Sequence, residues 1–164
     1  MLLNILYIFY VLIKKFNFPE IRSLFKTRLK VRTYECDSYG HVNNATFLNY
    51  CEVARVELLE KIGYSLERLM KSGFFLVIIK IEMEYKKPAY ANEELEVSVN
   101  WIERGTTSAV FEQEIVNTRN NLLVAKAKVV WVSTDLNGKP TAIPSELIKD
   151  YSKMFGYLPP IKNK

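Results

Sequence analysis

Hydrophobic and polar residues alternate with two different periods along this chain, and the periods predict its elements. Residues 29–34 alternate by two. Leu29, Val31 and Thr33 fall on one side, Lys30, Arg32 and Tyr34 on the other. Successive side chains of a strand point to opposite faces, so this spacing predicts a strand with one buried face. A polar stretch containing Gly40, residues 35–44, follows. Residues 45–62 hold neither Pro nor Gly and predict a helix, with Gly63 placed to cap its C-terminus. Phe47, Tyr50, Cys51, Val53, Ala54, Val56 and Leu58 are among the apolar residues that leave it only a narrow polar stripe. A helix apolar most of the way round is expected to be buried on most sides. Ser65 can cap a short second helix over residues 66–71, which Gly73 ends.

After Gly73 the period of two returns in four runs. Ile79, Ile81, Met83 and Tyr85 alternate with charged residues, and Leu95, Val97, Val99 and Trp101 with polar ones. Ala109, Phe111, Gln113 and Ile115 form the third inward set, and Leu123, Ala125, Ala127, Val129 and Trp131 the fourth. Turn residues at Arg104-Gly105, Asn120-Asn121 and Asn137-Gly138 separate or follow these runs. Residues 144–155 predict a last helix with Pro144 in its first turn. The order is strand, long buried helix, then four strands. Wrapping one antiparallel sheet around the helix is the simplest way to bury it, an α+β architecture. The other sheet face carries charges but also Val110, Val124, Val130 and Val132, which a dimer or larger assembly could cover.

Length and composition refine this picture in a few places. A chain of 164 residues suits one domain, expected over residues 29–158. Residues 1–28 form an apolar leader and connector, with residues 20–27 read as the connector. Within the leader, residues 2–13 are nearly all apolar and Lys14 and Lys15 follow. That run is shorter than the roughly 20 residues a helix needs to cross a bilayer. It is expected either to touch a membrane surface through residues 2–15 or to pack on the domain. The net charge of +5 is spread along the chain, which suits a phosphate-bearing substrate better than the dense basic stripe of a nucleic-acid-binding protein. The two cysteines, Cys36 and Cys51, match neither a disulfide scaffold nor a zinc site and predict reduced thiols in a compartment such as the cytoplasm. The single histidine, His41, excludes any mechanism that needs two from one chain.

The candidate chemistry lies in the polar stretch that leads into the long helix. Tyr34-Glu35-Cys36-Asp37-Ser38-Tyr39-Gly40-His41-Val42-Asn43-Asn44 ends at a helix start, where unpaired N–H groups and the positive end of the macrodipole collect. Such donors can stabilise a developing oxyanion. Asp37, on the loop just before them, can attack a carbonyl held there or deprotonate a water that does. Asn43 and Asn44 are also candidate caps. Glu52 and Arg55 are three apart on the helix and predict a supporting ion pair, and Glu57 with Lys61 a surface pair. Cys36 adjoins Asp37, yet no paired base supports it as a nucleophile.

The run from Asp37 to Asn44, with Phe47, Tyr50 and Glu52-Val53-Ala54-Arg55 after it, resembles the signature of the 4-hydroxybenzoyl-CoA thioesterase-like hotdog family. It is similar to the acyl-CoA thioesterases of that group with the pattern D-x-x-G-H-V-N-N. Tyr85-Lys86-Lys87-Pro88 is similar to the end of the family's first long strand after the helix. The resemblance implies a hotdog fold, an antiparallel sheet wrapped around a central helix. It implies hydrolysis of an acyl-CoA thioester, with Asp37 as nucleophile or general base and the backbone N–H groups of Asn43, Asn44 and Ala45 polarising the carbonyl. Tyr39, Gly40 and His41 would shape the loop, and Glu52 and Arg55 would support the helix. Lys86 and Lys87 could meet coenzyme A phosphates. No metal or redox cofactor is implied, and the family's homodimers or homotetramers place sites at subunit interfaces. Two other readings stay open. A hotdog dehydratase or hydratase would use His41 as base with Glu52 or Glu57 as acid, although the proline-rich run between histidine and acid is missing. A non-catalytic module would bind acyl-CoA without turnover.

Overall fold

The computed structural model describes residues 24–162. The apolar run of residues 2–13 and its two lysines lie outside them. Five strands form one antiparallel sheet: β1 (Phe25–Lys30), β2 (Phe74–Tyr85), β3 (Glu94–Arg104), β4 (Ser108–Asn117) and β5 (Leu123–Asp135), in the spatial order β1-β3-β4-β5-β2. The long helix α1 (Thr46–Lys61) packs across β3 and β1, the short helix α2 (Leu66–Lys71) lies against β2, and α3 (Ser145–Phe155) closes the chain.

The alternation in the three central strands translates directly into the core. Leu95, Val97, Val99 and Trp101 of β3, Ala109, Phe111, Gln113 and Ile115 of β4, and Ala125, Ala127, Val129 and Trp131 of β5 are all buried. Phe47, Tyr50, Cys51, Ala54, Arg55 and Leu58 of α1 face them. At the far end of the sheet α3 covers Trp101. The Tyr151 ring stands edge-on to it at 5.1 Å, and the Trp101 N–H donates to the Tyr151 hydroxyl oxygen at 3.2 Å. Gly63 caps α1 as expected. It adopts φ +88°, and its N–H and that of Tyr64 reach back to the carbonyls of Glu60 and Leu59. That is the paired bonding of a Schellman motif, which suits a residue with no Cβ.

Four expectations change. The strand predicted over residues 29–34 is shifted to β1, Phe25–Lys30, which shares only Leu29 and Lys30 with it and begins in the stretch read as a connector. Its partner β3 begins at Glu94, paired with Lys30, so beyond Lys30 no strand remains for the chain to pair with. It turns away through a 3-10 turn, Thr33–Glu35. Ile79 does not join the inward row of β2. The register with β5 slips between Ile78 and Lys80, and the extra residue of this bulge leaves Ile79 61% exposed. Glu57 does not pair with Lys61; its carboxylate takes the Thr27 hydroxyl hydrogen and so ties α1 to β1. Of the outer-face valines, Val110 and Val124 are already covered within the chain. The exposed apolar surface lies elsewhere, on Phe75, Val77 and Ile79 of β2 and on Val53 and Val56 of α1.

Candidate active site

Glu35 to Ala45 joins the 3-10 turn to α1, and its backbone bonds define the site. The Asp37 N–H donates to the His41 carbonyl at 3.0 Å, and the Gly40 N–H returns to the Asp37 carbonyl at 3.0 Å. This tight loop demands φ +81° at Gly40, a left-handed conformation that costs a side-chain-bearing residue energy. The Asp37 carboxylate commits one oxygen, Oδ1, to the Tyr39 N–H at 2.9 Å. Its Oδ2 stands 3.8 Å from His41 Nδ1. The His41 ring stacks on Tyr39, centroids 6.1 Å apart, and its Nδ1 also lies 3.4 Å from the Val42 carbonyl oxygen. His41 therefore sits beside Asp37 within the loop.

At the start of α1 the three expected oxyanion donors separate into two kinds. The Asn43 N–H is taken by the Glu35 carbonyl at 2.9 Å. The Ala45 N–H is taken by the Asn43 side-chain oxygen at 2.9 Å, so Asn43 serves as the cap. The Asn44 N–H has no acceptor among the described residues. Asn44 also holds the pocket wall, because its carbonyl accepts the Tyr85 hydroxyl at 3.1 Å.

Asp37, Tyr39, His41 and Asn44 line one cavity of about 730 Å³, in the range of small-molecule sites. Phe47, Tyr85 and Tyr90 give it an aromatic wall, and Lys86, Lys87 and Pro88 form its margin. Phe47 and Tyr85 meet at 5.6 Å between ring centroids. Periodicity in β2 already pointed Tyr85 toward the helix, but Tyr90 had no such signal, since it lies in the connection after β2. Lys86 pairs with Glu84, whereas the Lys87 ammonium has no carboxylate partner among the described residues.

Glu52 and Arg55 form the expected ion pair, but neither lines this cavity. Arg55 is buried and donates to Gln113 Oε1 at 2.7 Å, and Gln113 Nε2 donates to the Cys51 carbonyl at 3.0 Å. The pair thus joins α1 to β4 through the core. Glu57 is also absent from the cavity, so within one chain neither helix acid stands with His41 as the dehydratase reading requires. Cys51 is fully buried, and burial pushes its thiol up to about 11. Among the described residues no group of three or more His, Cys, Asp or Glu side chains forms a metal-binding cluster, and no helix is long and apolar enough to cross a membrane.

Asp37, whose Oδ2 makes no contact shorter than the 3.8 Å to His41, and Asn44, whose N–H has no acceptor among the described residues, thus line one cavity. The pattern of the thioesterase-like superfamily matches residues 31–150. The chain belongs to that superfamily. It is 33% identical over 132 residues to the acyl-CoA thioester hydrolase YbgC of Escherichia coli, a match covering 80% of this chain and 98% of that protein. It is 32% identical over 122 residues to a chloroplastic acyl-acyl carrier protein thioesterase of Arabidopsis thaliana, covering 74% of this chain and 64% of the relative. The fold is similar to that of a 1,4-dihydroxy-2-naphthoyl-CoA thioesterase from Synechocystis, with TM-score 0.73 and 22% identity over 78% of this chain and 95% of that one. The chain is accordingly a hotdog-fold thioester hydrolase.

Proposed function

We propose that this protein hydrolyses acyl-CoA thioesters to a free acid and coenzyme A, with Asp37 as the reacting carboxylate. The observation that carries this reading is the pairing, on one cavity, of the uncommitted Asp37 oxygen with the uncommitted Asn44 N–H. In the base form, Asp37 takes a proton from water as the water oxygen bonds to the thioester carbon; the tetrahedral oxyanion then collapses, the C–S bond breaks, and the departing thiolate takes up the proton held by Asp37. In the nucleophile form, the carboxylate bonds to that carbon itself, expels the thiolate as an anhydride forms, and water then hydrolyses the anhydride. In both, the carbonyl oxygen gains negative charge, and the Asn44 N–H at the positive end of α1 is placed to stabilise it. Water is the co-substrate, and the step calls for no metal or redox cofactor.

Lys87, with Lys86 beside it, would receive the phosphates of coenzyme A at the margin. Tyr39, Gly40 and His41 would keep the carboxylate oriented. The functional particle would be a homodimer or homotetramer, because the long edge strand β2 exposes Phe75, Val77 and Ile79, and α1 exposes Val53 and Val56. Similarity to both an acyl-CoA hydrolase and an acyl-carrier-protein thioesterase supports a second reading, in which the leaving thiol sits on a carrier protein.

The test is free-thiol release from short, long and aromatic acyl-CoAs and from matched acyl-carrier proteins, with the native enzyme beside Asp37→Asn. Native turnover should fall by about 10²–10⁴-fold in the variant while its fold is kept. Turnover that survives moves the chemistry off Asp37, and turnover confined to carrier-protein substrates selects the second reading.

A further inference from the structure

The bonds inside the Asp37 loop shape that loop but do not fix its distance from α1, and the proposed chemistry needs both held together. Glu35, two residues before Asp37, makes much of that connection. Its backbone carbonyl accepts the Asn43 N–H at 2.9 Å and the Thr46 hydroxyl at 3.4 Å, so it grips both ends of the helix start. One oxygen of its carboxylate, Oε2, accepts the Arg32 N–H at 2.6 Å and the Tyr50 hydroxyl at 2.8 Å. Tyr50 lies in the second turn of α1 and is 4% exposed. Burial, and then the bond to Glu35, hold its phenol above the usual tyrosine range, so it stays a donor across working pH. Its ring meets Phe47 edge-on at 5.9 Å, and Phe47 lines the cavity. Neither Glu35 nor Tyr50 lines the cavity itself.

We propose that Glu35 and Tyr50 are positioning residues, a latch that holds the Asp37 carboxylate in register with the Asn44 N–H; this rests on the thioesterase reading above. A small misplacement of reacting groups is enough to slow an enzyme strongly. The latch therefore acts on the rate of the bound substrate and little on binding.

Three single variants and one double variant test it. Tyr50→Phe keeps the ring and removes the donor. Glu35→Ala removes the acceptor, and Glu35→Gln retains an oxygen that can accept both donors. We expect Tyr50→Phe and Glu35→Ala each to lower kcat by about 10–100-fold with KM within about twofold. Glu35→Gln should recover most of the loss, and the double variant Glu35→Ala/Tyr50→Phe should be no slower than the worse single. Amide hydrogen exchange is the second readout and needs no substrate. Exchange at residues 37–46 should quicken in Tyr50→Phe and Glu35→Ala while the sheet amides keep their protection. Should the native protein release no thiol from any substrate, the functional reading falls, and exchange alone decides the latch. Unchanged exchange over residues 37–46 overturns it. So do kcat losses that multiply in the double variant, a loss expressed in KM, or protection lost evenly over the whole chain.

Discussion

The Asp37 loop and the β2 edge are both left incomplete by the single chain, in opposite ways. The loop is polar and much of its backbone is held by local hydrogen bonds. Tyr39, Gly40, Asn43 and Ala45 all spend their N–H groups locally, whereas the Asn44 N–H has no acceptor among the described residues. The edge strand has unspent apolar surface instead. Phe75 is 37%, Val77 43% and Ile79 61% exposed along its outer side. The opposite edge shows that such exposure is not a property of edges in general. β1 is six residues long, and Lys26 and Arg28 on its solvent side pair with Glu96, a short charged edge that discourages further pairing. On the proposed reading, the loop would be completed by a thioester and β2 by another copy of the chain.

The largest expected effect falls on the loop. Replacing the Asn44 amide by an ester removes its N–H and weakens only the Asn43 carbonyl that accepts the Thr46 N–H, and kcat should drop by about 10²–10³-fold. Equal kcat in the ester variant would mean the oxyanion finds its donor elsewhere. On the strand, Val77→Asp should convert the assembly to monomer in sedimentation, because a charge at the centre of a buried contact has no partner. A native protein that already sediments as a monomer would remove the contrast altogether. In the core, Gln113→Ala takes one buried acceptor from the Arg55 guanidinium, which keeps Glu52, and should cost about 1–3 kcal/mol in denaturant unfolding. The smallest effect is at the margin. Lys87→Ala should raise KM a few-fold at low salt, and the difference should shrink as ionic strength rises. Thiol labelling adds a control, since Cys36 should react in the folded protein while Cys51, buried and raised to about 11, should stay protected until unfolding.

Much of this was legible before any coordinates. In β3, β4 and β5 the inward rows Leu95 to Trp101, Ala109 to Ile115 and Ala125 to Trp131 read as burial, because both neighbours of each strand are present and the register slips fall only after Trp101 and after Ile115. The end of β1 was not legible, since Val31 and Thr33 continue the alternation although β3 has no residue left to pair with them. Local pattern carries no information on where a partner stops. Ile79 escaped for a related reason, because a bulge shifts the phase of a strand without any turn residue to announce it. In the site, the Asp37 motif marked the loop, and the resemblance marked its helix-start donors. Which of Asn43, Asn44 and Ala45 keeps a free N–H depends on the Glu35 carbonyl and the Asn43 side chain, a bonding choice that residue types do not dictate. Glu35 itself looked like one more loop acid until its four bonds were seen.

The Gln113 amide has a consequence beyond stability. Apolar contact is indifferent to direction, and α1 is apolar around most of its circumference, so oily packing alone offers several rotations of the helix about its own axis. Gln113 is fully buried, and its two bonds, to Arg55 and to the Cys51 carbonyl, are met at one azimuth only. Turning α1 by one residue, about 100°, would break both bonds to Gln113. A core with leucine at 113 and methionine at 55 should thus bury as much oil yet let the helix settle in more than one orientation. Doubled or broadened amide resonances along α1 would report it. On the proposed reading, the aim of the Asn44 N–H would then be set far away in sequence, by an amide in the middle of a β-strand that bonds the Cys51 carbonyl.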